Sequence, residues 1–361
     1  MIRRMPTPSQ PSPSWNADAV ERLARDVGGT VRSDAWGPAI AVGAEALPEG
    51  SFAAPLSDFG LLVTSGEEAG RFLHALLTND VEHLSPGVAR WGGWCTAKGR
   101  LLATFRYWRD PSAVFLAVSR PLAAAHARRL AMFVLRAKAR VADASDAHAL
   151  FGLCGESAAG AVAETFGLAV PGSDASASAA GAHLVGLPPL PGAVPRPRWL
   201  LAVSADAAGT AWTAISAVAA PVSGAAWRRT EVLAGIPRIV PGTSELFVPQ
   251  MLNFESVDGV DFRKGCYPGQ EVVARSQYLG KLKRRMFVAR GDGALPEPGS
   301  DIVPAAGGEP CGQVVLAAPD GTGGFDLLFE SQVAAVEAGG VLAGDRPLAL
   351  GALPYVLKAI D

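Results

Sequence analysis

Cysteine and histidine are both scarce: the 361 residues include four cysteines and five histidines. No two cysteines lie close together and no Cys-x-x-Cys pair occurs, which argues against a self-contained zinc or iron–sulfur site and against a disulfide framework. The histidines show no His-Glu-x-x-His or similar metal-binding spacing. We therefore predict a cytoplasmic protein with reduced thiols and no metal site.

The chain also lacks a large excess of charge of one sign and lacks long apolar runs. The formal net charge is −2, so no overall field favours nucleic acid or a membrane surface. No apolar run reaches the length of about 18 residues that a membrane-spanning helix needs. Residues 1–14 are rich in proline and serine and lack the apolar stretch of a secretory signal, so we expect a frayed tail rather than a presequence.

Apolar spacing predicts several amphipathic helices. Hydrophobic residues make up 49% of the chain, enough to build the cores of two or three domains. Ser65 and Glu68 have the spacing of a capping box, and apolar residues at the helical repeat follow to residue 77. Further helices are expected at 17–27, 121–133, 209–218, 227–236 and 270–278.

Strand patterns separate these helices. Segments 91–95, 101–108 and 113–119 predict a meander of three strands. The segments 173–181 and 188–197, rich in proline, alanine and serine, are expected to be loops. Short strands broken by glycine and proline follow the last helix and predict a small all-β module, so the chain as a whole is predicted to be α+β.

The segment Lys264–Glu271, with the sequence Lys-Gly-Cys-Tyr-Pro-Gly-Gln-Glu, carries the most specific chemical signal. Gly265 and Gly269 bracket Cys266, which predicts a tight turn that presents this cysteine. The helix predicted to follow would place its free N–H groups near the sulfur, and Arg263 and the lysine after it add positive charge; both favour the thiolate. The alternative is a structural cysteine buried in a glycine–proline turn.

Basic residues are concentrated around this loop. From residue 263 to residue 285 there are seven basic residues and one acidic residue, Glu271. Glu271 and Arg275 are spaced as an i, i+4 pair on the predicted helix. The basic run is either a solvated face or a local anion site for a polyglutamate tail, a phosphate or RNA.

The cysteine loop resembles the signature of the YgfZ family of folate-binding proteins, which belongs to the wider superfamily of the glycine-cleavage T-protein (aminomethyltransferase). Other parts of the chain are similar to that family as well, and the resemblance covers roughly residues 55 to 356. The similar elements are Phe72–Val81, Cys95–Arg100, Ala234–Pro237, Phe247–Gln250 and Leu353–Tyr355.

The resemblance implies three domains arranged as a ring around a channel that holds tetrahydrofolate, with a small β-barrel at the C-terminus. The expected parts are a lead-in at 1–50, a folate-binding α+β domain at 51–150, a second α+β domain at 151–280 and the barrel at 281–361. The family supports the assembly or maintenance of iron–sulfur proteins, including enzymes that modify tRNA.

The resemblance also implies particular site residues. The aromatic residues that flank folate fall on Trp227 and on Phe59, which replaces a tryptophan; the alternative for both is ordinary core packing. Four further residues either line the pocket or satisfy loop backbone groups: Asn79, Lys98, Gln250 and Asn253. With Cys266 as the reactive thiol, the remaining residues of the expected motif loop are Lys264, Gly265, Tyr267, Gly269, Gln270, Glu271 and Arg275.

The chain departs from the T-protein at its carboxylates. The T-protein has an aspartate pair just after the glycine hairpin, one of them catalytic, whereas this chain has Ala103 and Thr104, which cannot act as a carboxylate base. The acidic residue expected two positions before Gly235 is Leu233. We therefore expect a folate-binding accessory factor for iron–sulfur client proteins rather than a one-carbon (aminomethyl) transferase.

A tRNA-binding module, supported by the basic run, is the third hypothesis. The near-neutral net charge and the lack of a known RNA motif argue against direct contact with nucleic acid. A membrane is not expected as a partner.

Overall fold

The computed structural model describes residues 15–179, 181–278 and 283–358. Within these residues no helix combines the length and hydropathy needed to cross a bilayer. The N-terminal segment that we expect to be a frayed tail lies outside them. The helices are α1 (Ala17–Asp26), α2 (Ala69–His74), α3 (Arg120–Ala131), α4 (Glu156–Phe166), α5 (Ala208–Ser216), α6 (Gly224–Leu233), α7 (Gln270–Tyr278) and α8 (Val333–Glu337).

The first large sheet is antiparallel and contains the predicted meander. Its strands lie in the order β5-β6-β7-β4-β8, and Trp94 on β5 pairs with Ala103 on β6 just before a bulge. The strands are β4 (Phe59–Ser65), β5 (Ala89–Cys95), β6 (Leu101–Arg109), β7 (Ala113–Ser119) and β8 (Arg140–Asp143).

The second large sheet packs against the first. Its order is β10-β11-β12-β9-β3-β13, with β13 parallel to β3 and the other pairs antiparallel. Strand β3 is therefore part of the same sheet as strands that come much later in the chain. They are β3 (Phe52–Pro55), β9 (His148–Cys154), β10 (Ser176–Ala179), β11 (Ala182–Leu190), β12 (Arg196–Ser204) and β13 (Ala220–Pro221).

The two sheets form the middle of a four-layer arrangement. Side chains from both sheets, among them Trp108, Phe115 and Leu150, make one core between them. Helices α2 and α3 cover the outer face of the first sheet, and α1, α4 and α5 cover the outer face of the second. Both faces of the central strands are thus buried, which explains why β7 is apolar almost throughout. Strand β6 is buried over nearly its whole length although it includes Thr104 and Arg106. Each fully buried large apolar side chain contributes about 1.5–3 kcal/mol.

A seven-stranded, barrel-like antiparallel sheet forms the C-terminal part and confirms the predicted β module. Its order is β19-β18-β15-β16-β17-β14-β20. Helix α6 lies between it and the sandwich, since Trp227 packs into the inter-sheet core and Val232 into the barrel core. The strands are β14 (Arg284–Asp292), β15 (Asp301–Pro304), β16 (Gly312–Pro319), β17 (Gly324–Gln332), β18 (Val341–Ala343), β19 (Arg346–Pro347) and β20 (Ala349–Leu350); a separate hairpin comprises β1 (Thr30–Asp34) and β2 (Gly37–Ala41).

Two local predictions were wrong. Ser65 is the last residue of β4, and the Glu68 carboxylate accepts a hydrogen bond from the backbone N–H of Lys138, so no capping box forms and α2 begins at Ala69. The segments expected to be loops contain β10 and the ends of β11 and β12. Pairing with neighbouring strands supplies the backbone hydrogen bonds there and overrides the composition.

Candidate functional site

The cysteine loop docks on the turn between β5 and β6. Gly269 has φ +80°, and a Cβ atom on it would lie 2.4 Å from the carbonyl oxygen of Thr96 and 2.6 Å from the backbone nitrogen of Gly99. Gly99 has φ +71°, and a Cβ on it would lie 2.9 Å from Val272 Cβ. Only glycine fits such a close approach with positive φ. The two motifs that the sequence analysis treated separately therefore form one contact.

Lys264 anchors the loop rather than accompanying the thiol as a free cation. Its ammonium donates hydrogen bonds to the backbone oxygens of His74 and Leu77, the latter at 2.6 Å, and lies 4.8 Å from the ring centre of Tyr267. Burial lowers the pKa of Lys264 to about 8. The lysine therefore anchors the loop and also interacts electrostatically with Cys266, and its effect on the thiolate stays a prediction.

Cys266 is the exposed cysteine of the four, and the other three are buried. Burial raises the pKa of the Cys95 thiol to about 12 and also raises that of Cys154, so neither is a ready nucleophile. Of the two glycines that bracket Cys266, Gly269 has positive φ and Gly265 does not. The turn depends on Gly269 and leaves the thiol open to solvent.

The rest of the predicted motif loop is divided between core and surface. Tyr267 is buried, and its carbonyl accepts a hydrogen bond from the backbone N–H of Gln270 at 3.2 Å, at the start of α7. Gln270 is half-buried, while Glu271 and Arg275 are exposed on α7, as the sequence predicts for a helix that begins directly after the loop.

Gln250 and Asn253 bind the backbone of α7 and β14, the elements that follow the loop. Both are fully buried. The Gln250 side-chain amide donates to the carbonyl of Val273 at 2.7 Å, and the Asn253 amide donates to the carbonyl of Met286 at 2.8 Å. Of the two roles left open by the sequence, the structure shows the satisfaction of backbone groups.

Asn79 and Lys98 differ from that pair. Asn79 lines the widest of the three cavities that include Trp91, called the widest cleft below. Its amide donates to the carbonyls of Trp91 at 2.9 Å and Asp258 at 2.7 Å, so Asn79 both lines the cleft and satisfies backbone groups. Lys98 is exposed in the turn between β5 and β6. The structure places Lys98 beside the docked cysteine loop rather than on the wall of that cleft.

Phe59 and Trp227 share one apolar cavity behind Trp91. The cavity is small, about 20 Å³, which is room for about one water molecule. The Arg238 guanidinium lies 4.2 Å from the ring centre of Phe59, and that of Arg198 lies 5.6 Å from the ring of Trp227. The sequence correctly groups the two aromatic residues, but in this conformation arginine side chains already cover their rings.

Trp91 is the site residue that the sequence analysis missed. It lines the aromatic cavity, the widest cleft of about 700 Å³, and a third cavity of about 270 Å³ that also includes Tyr355. Its indole N–H is buried without a hydrogen-bond partner, and the Arg106 guanidinium lies 5.0 Å from its ring. The sequence signal that could have indicated Trp91 is its position on the predicted strand that leads into the Gly99 turn.

A buried ion cluster lies beside the aromatic cavity. Arg238 donates to the Asp58 carboxylate at 2.6 Å, and Glu231 Oε2 lies 3.2 Å from the same nitrogen without hydrogen-bond alignment. Because Asp58 already neutralises the guanidinium, burial dominates at Glu231 and raises its pKa to about 7. The two carboxylates near the aromatic cavity therefore belong to the turn before β4 (Asp58) and to helix α6 (Glu231), and not to β6.

The two positions that carry aspartates in the T-protein have structural roles here. Ala103 is fully buried, and the Thr104 hydroxyl accepts a hydrogen bond from the backbone N–H of Ile239 at 3.1 Å. Leu233 packs against the inter-sheet core. No carboxylate base stands at these three positions.

Two of the seven basic residues of the run are paired with buried carboxylates. Arg284 pairs with Glu330 and Arg285 with Glu255, both through short charge-assisted contacts. Arg263 remains exposed, with 97% of its side chain accessible, whereas residues 279–282 lie outside the described part of the chain. The described residues of the run therefore do not all contribute free positive charge to one face.

The fold is of the T-protein type. The crystal structure of the glycine cleavage system aminomethyltransferase T from Bartonella henselae superposes with a TM-score of 0.70 over 95% of this chain and 99% of that chain, at 16% identity. This similarity establishes the α+β T-protein-like fold. No family model matches the sequence.

Sequence relatives then identify the family. The chain is 32% identical to the tRNA-modifying protein YgfZ of Colwellia psychrerythraea over 264 residues, 73% of this chain and 78% of that protein. It is 32% identical over 250 residues to the protein of the same name from Edwardsiella ictaluri, 68% of this chain and 73% of that one. For Vibrio vulnificus the match is 31% over 258 residues, 72% and 75%. This chain belongs to the YgfZ family.

Proposed function

We propose that this protein is a cytoplasmic, folate-binding accessory factor for the assembly or maintenance of iron–sulfur proteins, with Cys266 as its reactive thiol. Support for tRNA modification is then indirect, through iron–sulfur client enzymes that modify tRNA. The observation that carries the proposal is the exposed Cys266, presented by a loop that docks on the Gly99 turn beside the widest cleft. The names of the YgfZ relatives agree with the link to tRNA modification.

The widest cleft has the size for a folate. Its volume of about 700 Å³ lies in the usual range of ligand pockets. Trp91 offers an aromatic face, and Arg90, Arg263 and Lys358 are the cations on the lining that could bind the glutamate carboxylates. The lining as a whole is not cationic, because it also includes four aspartates: Asp80, Asp174, Asp258 and Asp261. Stacking of the pterin on Phe59 and Trp227 would further require the arginines over their rings to move.

Tetrahydrofolate titration followed by tryptophan fluorescence tests the folate proposal. We expect saturable quenching in the wild-type protein and an affinity about 2- to 10-fold lower in Trp91→Phe, because the weaker ring loses part of a stacking energy of about 0.5–1.5 kcal/mol. Trp227→Phe should weaken binding similarly and is preferable to alanine, which would cost about 3–5 kcal/mol of stability at this buried site.

The matched control is Trp15→Phe. Trp15 packs beside the helical layer of the second sheet and does not line any of the three cavities that meet at Trp91. It should keep the wild-type affinity. Absence of saturable quenching in the wild-type protein, or equal affinities in all variants, would contradict the folate site.

Cys266→Ser tests the thiol. Because the side chain is exposed, we expect an unchanged unfolding transition but loss of client iron–sulfur enzyme activity in a complementation assay. Iodoacetamide should modify one thiol in the native wild-type protein and none in Cys266→Ser. Cys311→Ala, which removes a buried thiol, should retain client activity; full complementation by Cys266→Ser would exclude a role for the thiol.

A folate-dependent aminomethyl transferase is the second candidate, favoured by the T-protein-like fold. The alanine and threonine at the positions of the T-protein aspartates oppose it, because neither side chain can act as a carboxylate base. A glycine-cleavage assay with the purified protein separates the two candidates, since steady turnover would replace our proposal by this one.

A further inference from the structure

Three side chains that the sequence analysis did not connect meet beside the cysteine loop. His74 Nδ1 lies 2.8 Å from Asp80 Oδ1, and His83 Nδ1 lies 3.1 Å from Asp80 Oδ2. One potential ligand atom from each residue lies within 4.8 Å of the others. His74 closes helix α2, and the other two follow on the irregular segment that leads to β5. The spacing His-x5-Asp-x2-His matches no common metal motif, so the sequence did not reveal the cluster.

The spacing of these atoms fits a shared metal ion. Metal–nitrogen and metal–oxygen bonds of about 2.1 Å at right angles place neighbouring ligand atoms about 3 Å apart. His74 Nδ1 and His83 Nδ1 lie 2.8 and 3.2 Å from the same oxygen, Asp80 Oδ1, close to that value. The same distances also fit two imidazole N–H groups that donate to one carboxylate, so the geometry defines two alternatives that metal titration can distinguish.

The surroundings hold Asp80 in place. The Tyr107 hydroxyl and an Arg90 nitrogen both donate to its backbone oxygen, at 3.0 and 3.1 Å. The His83 backbone N–H donates to Asp80 Oδ1 at 3.1 Å. The carboxylate is thus oriented before any ligand arrives.

We propose that His74, Asp80 and His83 form a binding site for a divalent transition metal of the ferrous type. Two imidazoles and one carboxylate with open coordination positions are the donor set of non-haem iron(II) sites. Each neutral imidazole would move its proton from Nδ1 to Nε2 and offer the Nδ1 lone pair to the metal, so no net proton is released. This inference does not depend on the folate proposal.

The site adjoins the loop of the reactive cysteine. A Cβ atom on Gly265 would lie 3.6 Å from His74 Nε2, and the Lys264 ammonium binds the His74 carbonyl. Arg90, 3.6 Å from Asp80 Oδ2, and the nearby lysine add positive charge that opposes a cation. We therefore expect reversible, exchangeable binding rather than a permanently bound metal.

Anaerobic calorimetric titration with Fe²⁺, repeated with Co²⁺ to record its visible absorption bands, tests the site on the full-length protein. We expect one equivalent to bind the wild-type protein. His83→Ala should bind at least about 100-fold more weakly, a loss beyond the 10- to 100-fold that an outer-shell partner costs. His83 has 75% of its side chain exposed, so this variant should fold normally; His74→Asn provides a second ligand deletion.

Two controls locate the metal. Glu82→Gln removes an exposed carboxylate between the proposed ligands in sequence and should leave the affinity unchanged. Cys266→Ser should also keep the full affinity, which separates this site from the thiol. No stoichiometric binding by the wild-type protein, equal binding by His83→Ala, or loss of the metal in Cys266→Ser would each overturn the proposal.

Discussion

Replacing Arg238 with alanine should lower the free energy of unfolding by about 3–5 kcal/mol, because it leaves two buried carboxylates without their partner. Arg238 and Asp58 have 4% and 3% of their side chains exposed, and Glu231 shares the same guanidinium. Chemical denaturation followed by circular dichroism gives the difference. Burial raises the pKa of Glu231 to about 7, and because protonation of this group relieves part of the uncompensated charge, the deficit should shrink as the pH falls.

The control for this substitution is Arg263→Ala, which removes an arginine whose side chain is almost fully exposed. A surface change of this kind should stay within about 0.5 kcal/mol of the wild type. Destabilisation of Arg238→Ala no greater than that of the control would show that the ion cluster contributes no net stability. Arg238 also covers the Phe59 ring, so its loss would alter the aromatic cavity as well.

Gly269→Ala should detach the cysteine loop from the Gly99 turn and cost about 2–5 kcal/mol. The left-handed backbone adds about 1–2 kcal/mol for a residue with a Cβ, and overpacking against fixed backbone adds about 1–3 kcal/mol. The carbonyl of Thr96, 2.4 Å from the new carbon, has no flexible end that could move away. Unfolding measurements should show the lower stability, and hydrogen exchange should show loss of protection in the loop.

Gly265→Ala is the matched control in the same loop. Its backbone does not have positive φ, and the nearest atom to an added Cβ is His74 Nε2 at 3.6 Å, an ordinary contact. We expect near wild-type stability and intact loop protection. Equal effects of the two alanine substitutions would mean that the docking contact does not hold the loop.

Local patterns predicted much of the fold correctly. The meander of β5, β6 and β7 and the helix α7 were recognisable because their strand alternation and turn residues act over a few neighbouring positions. The capping box failed because Ser65 pairs in a strand and Glu68 binds the backbone of Lys138, a residue far along the chain. The strands among the proline-rich segments were missed for the same reason, since long-range pairing decides them.

The features of the site likewise fall into those set by adjacent residues and those set by contacts between distant parts of the chain. The sequence by itself determined that Cys266 lies in a glycine turn before a helix, and that Ala103 and Thr104 provide no carboxylate. Only the tertiary structure decided that Gly269 packs on the Gly99 turn, that Trp91 is shared by three cavities, and that His74, Asp80 and His83 converge. Turns follow from the allowed conformations of a few adjacent residues, whereas cavities and clusters depend on how distant segments pack against one another.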